Sequence, residues 1–137
     1  MNIKDLVVVT GMPGIQKIAA NRKNGMLVED LDTGNVRFAS LRKHQLSPLE
    51  SISVYTDDDD SVEIKKVFQL MLDKLNEVPP VPTDATSPEL RDYFLKILPN
   101  HDQDRVHISH IKKIISWFKF LNDRGYLTMP EETGEEE

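Results

Sequence analysis

The chain has 137 residues, 39% of them hydrophobic and 29% charged, which suits one ordinary globular domain or two very small ones. It contains no cysteine, so disulfides, thiolate zinc sites and cysteine nucleophiles are excluded. The net charge of −6 is uneven: residues 1–56 hold 7 Lys and Arg against 5 Asp and Glu, and residues 57–137 hold 10 against 18. The asymmetry suggests two units, and the acidic half disfavours a general phosphate-binding surface, which needs clustered positive charge.

The N-terminus shows no basic-then-apolar signal pattern, and no apolar run approaches the length of about 18 residues that a membrane span needs. A cytoplasmic location with no membrane partner is the expectation.

Residues 1–56 are short apolar pieces separated by turn chemistry. Leu6-Val7-Val8-Val9 predicts a buried strand. Gly11-Met12-Pro13-Gly14 follows it, as at the start of many nucleotide kinases. A phosphate-binding loop would need glycine followed by Lys and then Ser or Thr, so that amides cradle phosphate and a hydroxyl holds Mg²⁺. Here Ile15-Gln16 intervenes, and Lys17 is followed by Ile18, which cannot ligate a metal. A helix is also required after Gly14, whereas hairpin chemistry follows. The segment is therefore read as a turn, with Pro13 pre-setting φ and Gly14 accepting φ > 0.

Ile15–Ala20 predicts a second strand. Asn24-Gly25 predicts a type I′ hairpin turn, in which both residues need φ > 0, and Met26–Leu31 a third strand. Asp32-Thr33-Gly34-Asn35 turns the chain into an alternating fourth strand, Val36–Ala39. Ser47-Pro48-Leu49 suggests a helical turn, and Ile52–Tyr55 alternates as the fifth strand. Five short strands joined by tight turns predict an SH3-like small β-barrel.

Asp57–Asp60 lacks the glycine and glutamate that a calcium-binding EF-hand loop requires. The four carboxylates instead suit the positive N-terminal end of a helix, with Asp60 and Glu63 as a capping box. That helix spans 61–78, with Ile64, Val67, Phe68, Met71, Leu75 and Val78 on one face, and Pro79-Pro80 ends it. Residues 79–86 form a stiff Pro-rich linker. Ser87 caps the next helix ahead of Pro88, and Leu90, Phe94, Ile97 and Leu98 form its buried stripe. Ser109 caps the last helix, whose stripe is Ile111, Ile114, Ile115, Phe118 and Leu121. Gly125 followed by Tyr126 matches a Schellman stop. Glu131–Glu137 is an acidic tail with a disorder-prone composition. The fold class expected is thus α+β, with a barrel at 1–56, a connecting helix at 57–78, a linker at 79–86, a helical hairpin at 87–128 and a tail at 129–137.

His101, His107 and His110, with Asp102 and Asp104 nearby, contain metal-ligand types, but the plainer reading is a polar loop. Arg37, Arg42 and Lys43 belong to the main basic group. Single-stranded RNA recognition adds aromatic platforms to such a group, and this half offers only Phe38 and Tyr55, of which at least one is expected in the core. Trp117 and Phe120 lie off the buried stripe of the last helix, either as a contact patch or as part of a helix buried on several sides. The Trp117–Leu127 segment resembles the end of a winged-helix recognition helix, but no wing strands follow and the acidic tail would repel DNA. No Ser-His-Asp arrangement, carboxylate pair or nucleophile elbow is visible.

Gly11-Met12-Pro13-Gly14, the run Leu49–Thr56, Leu98-Pro99-Asn100, Asp104-Arg105-Val106 and the run Ser109–Lys113 together resemble an uncharacterised bacterial domain-of-unknown-function family. The resemblance implies an N-terminal small barrel, a C-terminal helical module and an acidic tail, and it brings no activity or functional residues. The resulting expectation is a cytoplasmic, non-enzymatic adaptor or regulatory module without cofactor or metal, bound to a protein partner. The alternative is an RNA-binding barrel using Arg42 and Lys43. Candidate contact residues are Arg37, Arg42, Lys43, Trp117 and Phe120.

Overall fold

A computed structural model describes residues 3–12 and 14–128. Pro13 of the expected first turn and the acidic tail at 129–137 lie outside the described residues. The chain is α+β and divides into two compact units, one at residues 3–52 and the other from residue 53 onward.

The first unit is a five-stranded antiparallel sheet of β1 (Leu6–Val9), β2 (Gln16–Arg22), β3 (Gly25–Asp30), β4 (Val36–Ser40) and β5 (Leu46–Pro48), in the order β4-β3-β2-β1-β5. β4 and β5 do not pair, so the sheet is open and the expected closed barrel is not formed. The fifth strand also differs from expectation. Leu46, Ser47 and Pro48 pair with Val9, Val8 and Val7, and a 3₁₀ turn at Leu49–Ser51 then leads out of the sheet. Val7, Val9, Val28 and Ala39 form the buried core on one face, with Met12, Ile18, Met26 and Leu46 packed on it.

Turn chemistry accounts for most of these connections. Gly14 has φ +69° and Gly34 has φ +76°, the left-handed region that glycine enters without a Cβ penalty. A carboxylate oxygen of Asp30 accepts from the amides of Asp32 (2.8 Å) and Thr33 (3.0 Å), closing the β3–β4 turn. The hairpin expected at Asn24-Gly25 exists, but Arg22 pairs with Gly25 and neither Asn24 nor Gly25 has positive φ. Glycine is needed at 25 for space. A Cβ there would meet the Ala39 carbonyl oxygen and would stand 3.0 Å from Cζ of Phe38.

The second unit opens with a two-stranded hairpin of β6 (Ser53–Tyr55) and β7 (Ser61–Glu63). The fifth barrel strand expected at Ile52–Tyr55 is therefore one arm of a separate hairpin. Asp57–Asp60 serves its turn rather than a helix cap. The Thr56 amide donates to the Asp60 carbonyl (2.9 Å), the Thr56 hydroxyl donates to the Asp58 carboxylate, and Asp59 has φ +64°.

Three helices follow: α1 (Ile64–Asp73), α2 (Ser87–Ile97) and α3 (Ile108–Asp123). α1 starts three residues later than the sequence predicts, because 61–63 pair as strand, and it stops six residues before Pro79. Every residue of the predicted α3 stripe is buried, as are Leu90, Phe94 and Ile97 on α2. Phe68 of α1 meets Phe118 of α3 with ring centroids 6.3 Å apart, so the three helices share one core.

The caps shift by one or two residues. Thr86, not Ser87, caps α2: its hydroxyl accepts from the Glu89 amide, and Glu89 returns a carboxylate to the Thr86 amide (3.0 Å). These bonds from Thr86 hold the Glu89 pKa below its ordinary value. At the end of α3 the Tyr126 amide reaches the Leu121 carbonyl (3.0 Å) and the Gly125 amide reaches that of Asn122 (3.1 Å), with Gly125 at φ +79°. That is the predicted Schellman stop.

Two substitutions test these assignments by denaturant unfolding. Gly25→Ala must displace both the Ala39 carbonyl and the Phe38 ring, with an expected loss of about 1–3 kcal/mol. Thr86→Ala removes the α2 cap, with an expected loss of about 1 kcal/mol. An unchanged unfolding midpoint in either variant would contradict the corresponding assignment.

Candidate interaction surface

The feature that separates this surface from an ordinary solvated face is the free edge of β4. Backbone groups of an antiparallel strand point alternately to its two sides. The Asp30 amide donates to Asn35 (2.9 Å) and the Leu41 amide to Asn24 (2.9 Å), which fixes the phase. With Val28 opposite Arg37 and Met26 opposite Ala39, residues 35, 37, 39 and 41 face β3. The amides and carbonyls of Val36, Phe38 and Ser40 then point away from the sheet. The Ser40 carbonyl is taken by the amides of Lys43 (3.2 Å) and His44 (2.9 Å) in the next turn. Among the described residues, the outward groups of Val36 and Phe38 and the Ser40 amide are left for a strand beyond the edge.

The side chains on this edge are apolar and exposed: Val36 is 52% accessible, Phe38 47% and Leu41 59%. Ala39 carries the inward face and is fully buried, so Val36 and Phe38 occupy the opposite one. The tip of the Phe38 ring reaches Gly25, which is buried although it starts the next strand. The ring is thus laid back over its own sheet.

Arg37 lies on β4, and Arg42 and Lys43 lie in the turn after it; all three are exposed. Ser40 Oγ accepts from the Arg42 amide (3.1 Å). The structure therefore brings these three predicted contact residues together along one edge. Sequence reasoning missed Val36 and Leu41 beside them. It also expected at least one of Phe38 and Tyr55 in the core, and both stand about half exposed. The small Ala39 and the side-chain-free Gly25 were the available signals that the strand turns its large residues outward.

Trp117 and Phe120 belong to α3 in the other unit, and both are half-buried. The Arg124 guanidinium lies 3.6 Å from the Phe120 ring centroid and donates to the Phe120 carbonyl (3.0 Å). Phe120 therefore carries an intramolecular contact. Tyr55, on β6, is similarly covered by Arg105 at 4.6 Å, and Arg105 bridges Asp59 (3.1 Å) and Asp102 (2.8 Å).

The histidines are structural groups in this geometry. His101 is 2% exposed and packs edge-on against Phe94 at 4.7 Å. Its Nδ1 donates to the Leu98 carbonyl (2.7 Å), which leaves Nε2 to accept from the Arg91 guanidinium (2.9 Å). Both ring nitrogens are engaged, and the ring is neutral with its proton on Nδ1. The neighbouring backbone of Thr56 bridges to His101, tying the α2–α3 connection to the β6–β7 hairpin. The His107 and His110 rings lie 5.1 Å apart, tilted by 46°, and the His107 amide donates to His110 Nδ1 (3.2 Å).

Burial lowers the pKa of His101, with the Arg91 charge adding to it against the Leu98 hydrogen bond. Burial, His107 and Lys113 lower that of His110. Both folded values lie below the ordinary 6.5, so protonation favours the unfolded chain. Stability is fully present above pH 6.5 and falls as the pH drops through the folded values. Ring-proton NMR titration is expected to place both midpoints below 6.5, and denaturant midpoints are expected to fall between pH 7.5 and 5.5. A His101 midpoint above 6.5 would contradict the lowering that burial imposes.

The family model described as Domain of unknown function (DUF6852) matches residues 52–121, and that described as Domain of unknown function (DUF5606) matches residues 3–49. The seam between the two falls where the structure divides into its two units. A solution NMR structure from Bacteroides vulgatus, determined by the Northeast Structural Genomics Consortium, is similar over 98% of this chain and 95% of that one. The two are 32% identical, with a TM-score of 0.74. No curated protein matches the chain. The resemblance to a domain-of-unknown-function family read from the sequence is borne out.

Proposed function

We propose that this chain, which belongs to the family Domain of unknown function (DUF6852), is a non-enzymatic, cytoplasmic protein-interaction module that takes up a partner strand along β4. The observation that carries this reading is the pairing of an open strand edge with exposed Val36, Phe38 and Leu41. Strand addition draws affinity from backbone hydrogen bonds and specificity from alternate side chains, and this edge offers both. Among the described residues no helix is long and apolar enough to cross a membrane.

A second reading is favoured by one observation: exposed Phe38 sits beside Arg37, with Arg42 and Lys43 just beyond. A cation-flanked aromatic is the minimal platform for single-stranded RNA. Binding of this kind weakens steeply with salt.

Affinity purification from native cells, with nuclease treatment and cross-linking, separates the readings. A protein cross-linked within Val36–Leu41 in nuclease-treated extract is the expected result. RNA retention lost in Arg42→Glu with Lys43→Glu would favour the second reading instead. Specific turnover in a broad metabolite screen would overturn the non-enzymatic reading.

A further inference from the structure

We infer that the strand received by β4 is the β4 of a second copy of this chain, paired antiparallel about a two-fold axis through Phe38. The inference rests on the strand-addition reading above and names its occupant.

The backbone limits the possible registers. Outward-facing residues must oppose outward-facing residues, so Val36, Phe38 and Ser40 can meet only one another across the edge. One two-fold arrangement centres on Arg37, placing Arg37 directly opposite the Arg37 of the second copy. Like charges in that position are destabilising. A second centres on Ala39 and relies on the Ser40 carbonyl, which already accepts from Lys43 and His44. The third centres on Phe38. It forms reciprocal bonds between the two Phe38 residues and lets each Ser40 amide donate to the Val36 carbonyl opposite, so that only the peripheral Val36 amide meets the occupied Ser40 carbonyl. Arg37 then faces Ala39.

Charge along the edge supports the same arrangement. The end near the β2–β3 hairpin tip and the turn after β4 carries Lys23, Arg42 and Lys43. The other end, at the β3–β4 turn, carries Asp30 and Asp32. Antiparallel pairing brings the basic end of each copy to the acidic end of the other. An edge that is polar in charge from end to end is self-complementary under a two-fold axis, as an isologous interface requires. The Phe38 ring lies back toward Gly25, away from the edge groups that the pairing uses.

The absence of cysteine in the chain makes the test direct. Residues directly opposite in a hydrogen-bonded antiparallel pair have Cα atoms about 5.5 Å apart, within the span of a disulfide. Phe38→Cys is expected to give a covalent dimer on mild oxidation, and Val36→Cys, which the Phe38-centred register places opposite Ser40 and far from its own copy, to give much less. Sedimentation velocity of the full unmodified chain should show a concentration-dependent dimer that weakens with added salt. Phe38→Pro removes an outward N–H that proline can forgo on an edge strand. It is expected to weaken the dimer at least tenfold, with circular dichroism confirming the fold.

A chain that stays monomeric at every concentration, with no preferential Phe38→Cys dimer, overturns self-pairing. So does a dimer in which Val36→Cys cross-links as efficiently as Phe38→Cys. If self-pairing fails while another protein still cross-links within Val36–Leu41, the strand-addition reading stands without it. If neither is seen, both fail.

Discussion

Each strand inside a sheet divides its backbone groups between two neighbours, and among the described residues β4 has one neighbour only. Much of the first unit follows from how its two edges meet that constraint. The β5 edge is three residues long and ends at Pro48, which has no amide to offer. The 3₁₀ turn at Leu49–Ser51 then carries the chain away. The β4 edge is five residues long, contains no proline, and keeps a regular alternation throughout. Natural edges are commonly blunted by proline, bulges or inward charge. The irregularity of this sheet lies between Ile18 and Ala20 on β2, away from the open edge. The two edges are therefore unequal, and among the described residues only the β4 edge presents both backbone groups and exposed apolar side chains.

The second unit uses its polar groups differently. Asp58 and Asp60 close the β6–β7 turn, Asp102 orders the connection before α3, and Arg105 joins Asp102 to Asp59. The Arg105 bond holds the Asp102 pKa below the ordinary carboxylate range. Lys74 and Lys119 donate to the carbonyls of Lys96 and Val81, so even the Pro-rich linker is tied to a helix. Hydrogen bonds to charged groups and to buried imidazole are worth most when both partners are fixed. His101 is the centre of this pattern, since its ring and backbone together join α2, the following loop and the hairpin. Such groups are committed to folding, which directs a functional reading to the first unit.

The helical half was largely legible in the sequence because its signals are redundant. A stripe such as Ile111, Ile114, Ile115, Phe118 and Leu121 repeats one statement five times, and Gly125-Tyr126 stops it by a mechanism that needs only local chemistry. Strands of three residues have no such redundancy. Leu46-Ser47-Pro48 carries almost no periodic signal, while Ile52–Tyr55 alternates well, so the wrong segment was expected as the fifth strand. Both segments form strands, and only long-range pairing distinguishes their sheets. Asp57–Asp60 was equally ambiguous, because carboxylates stabilise a helix N-terminus and a tight turn alike. The candidate edge was half legible: charge located Arg37, Arg42 and Lys43, but the facing of β4 could not be read. A one-residue shift in phase exchanges the two faces of a strand, and Val36-Arg37-Phe38-Ala39 satisfies either choice.

Gly25 resolves that phase in the folded chain. Its missing side chain leaves a hollow at the start of β3, and a large residue diagonally across on β4 covers it. Phe38 can do so only if Val36 and Phe38 point outward and Ala39 inward, as observed. The aromatic ring thus has a folding role that accounts for its place on an exposed face. The same placement leans the ring toward β3 and leaves the outward amide and carbonyl of β4 uncovered. Local packing and edge availability are therefore consequences of one contact. That coupling favours a partner that reads backbone over one that needs the ring as a free stacking platform, because a ring laid against its own sheet has only one face to offer.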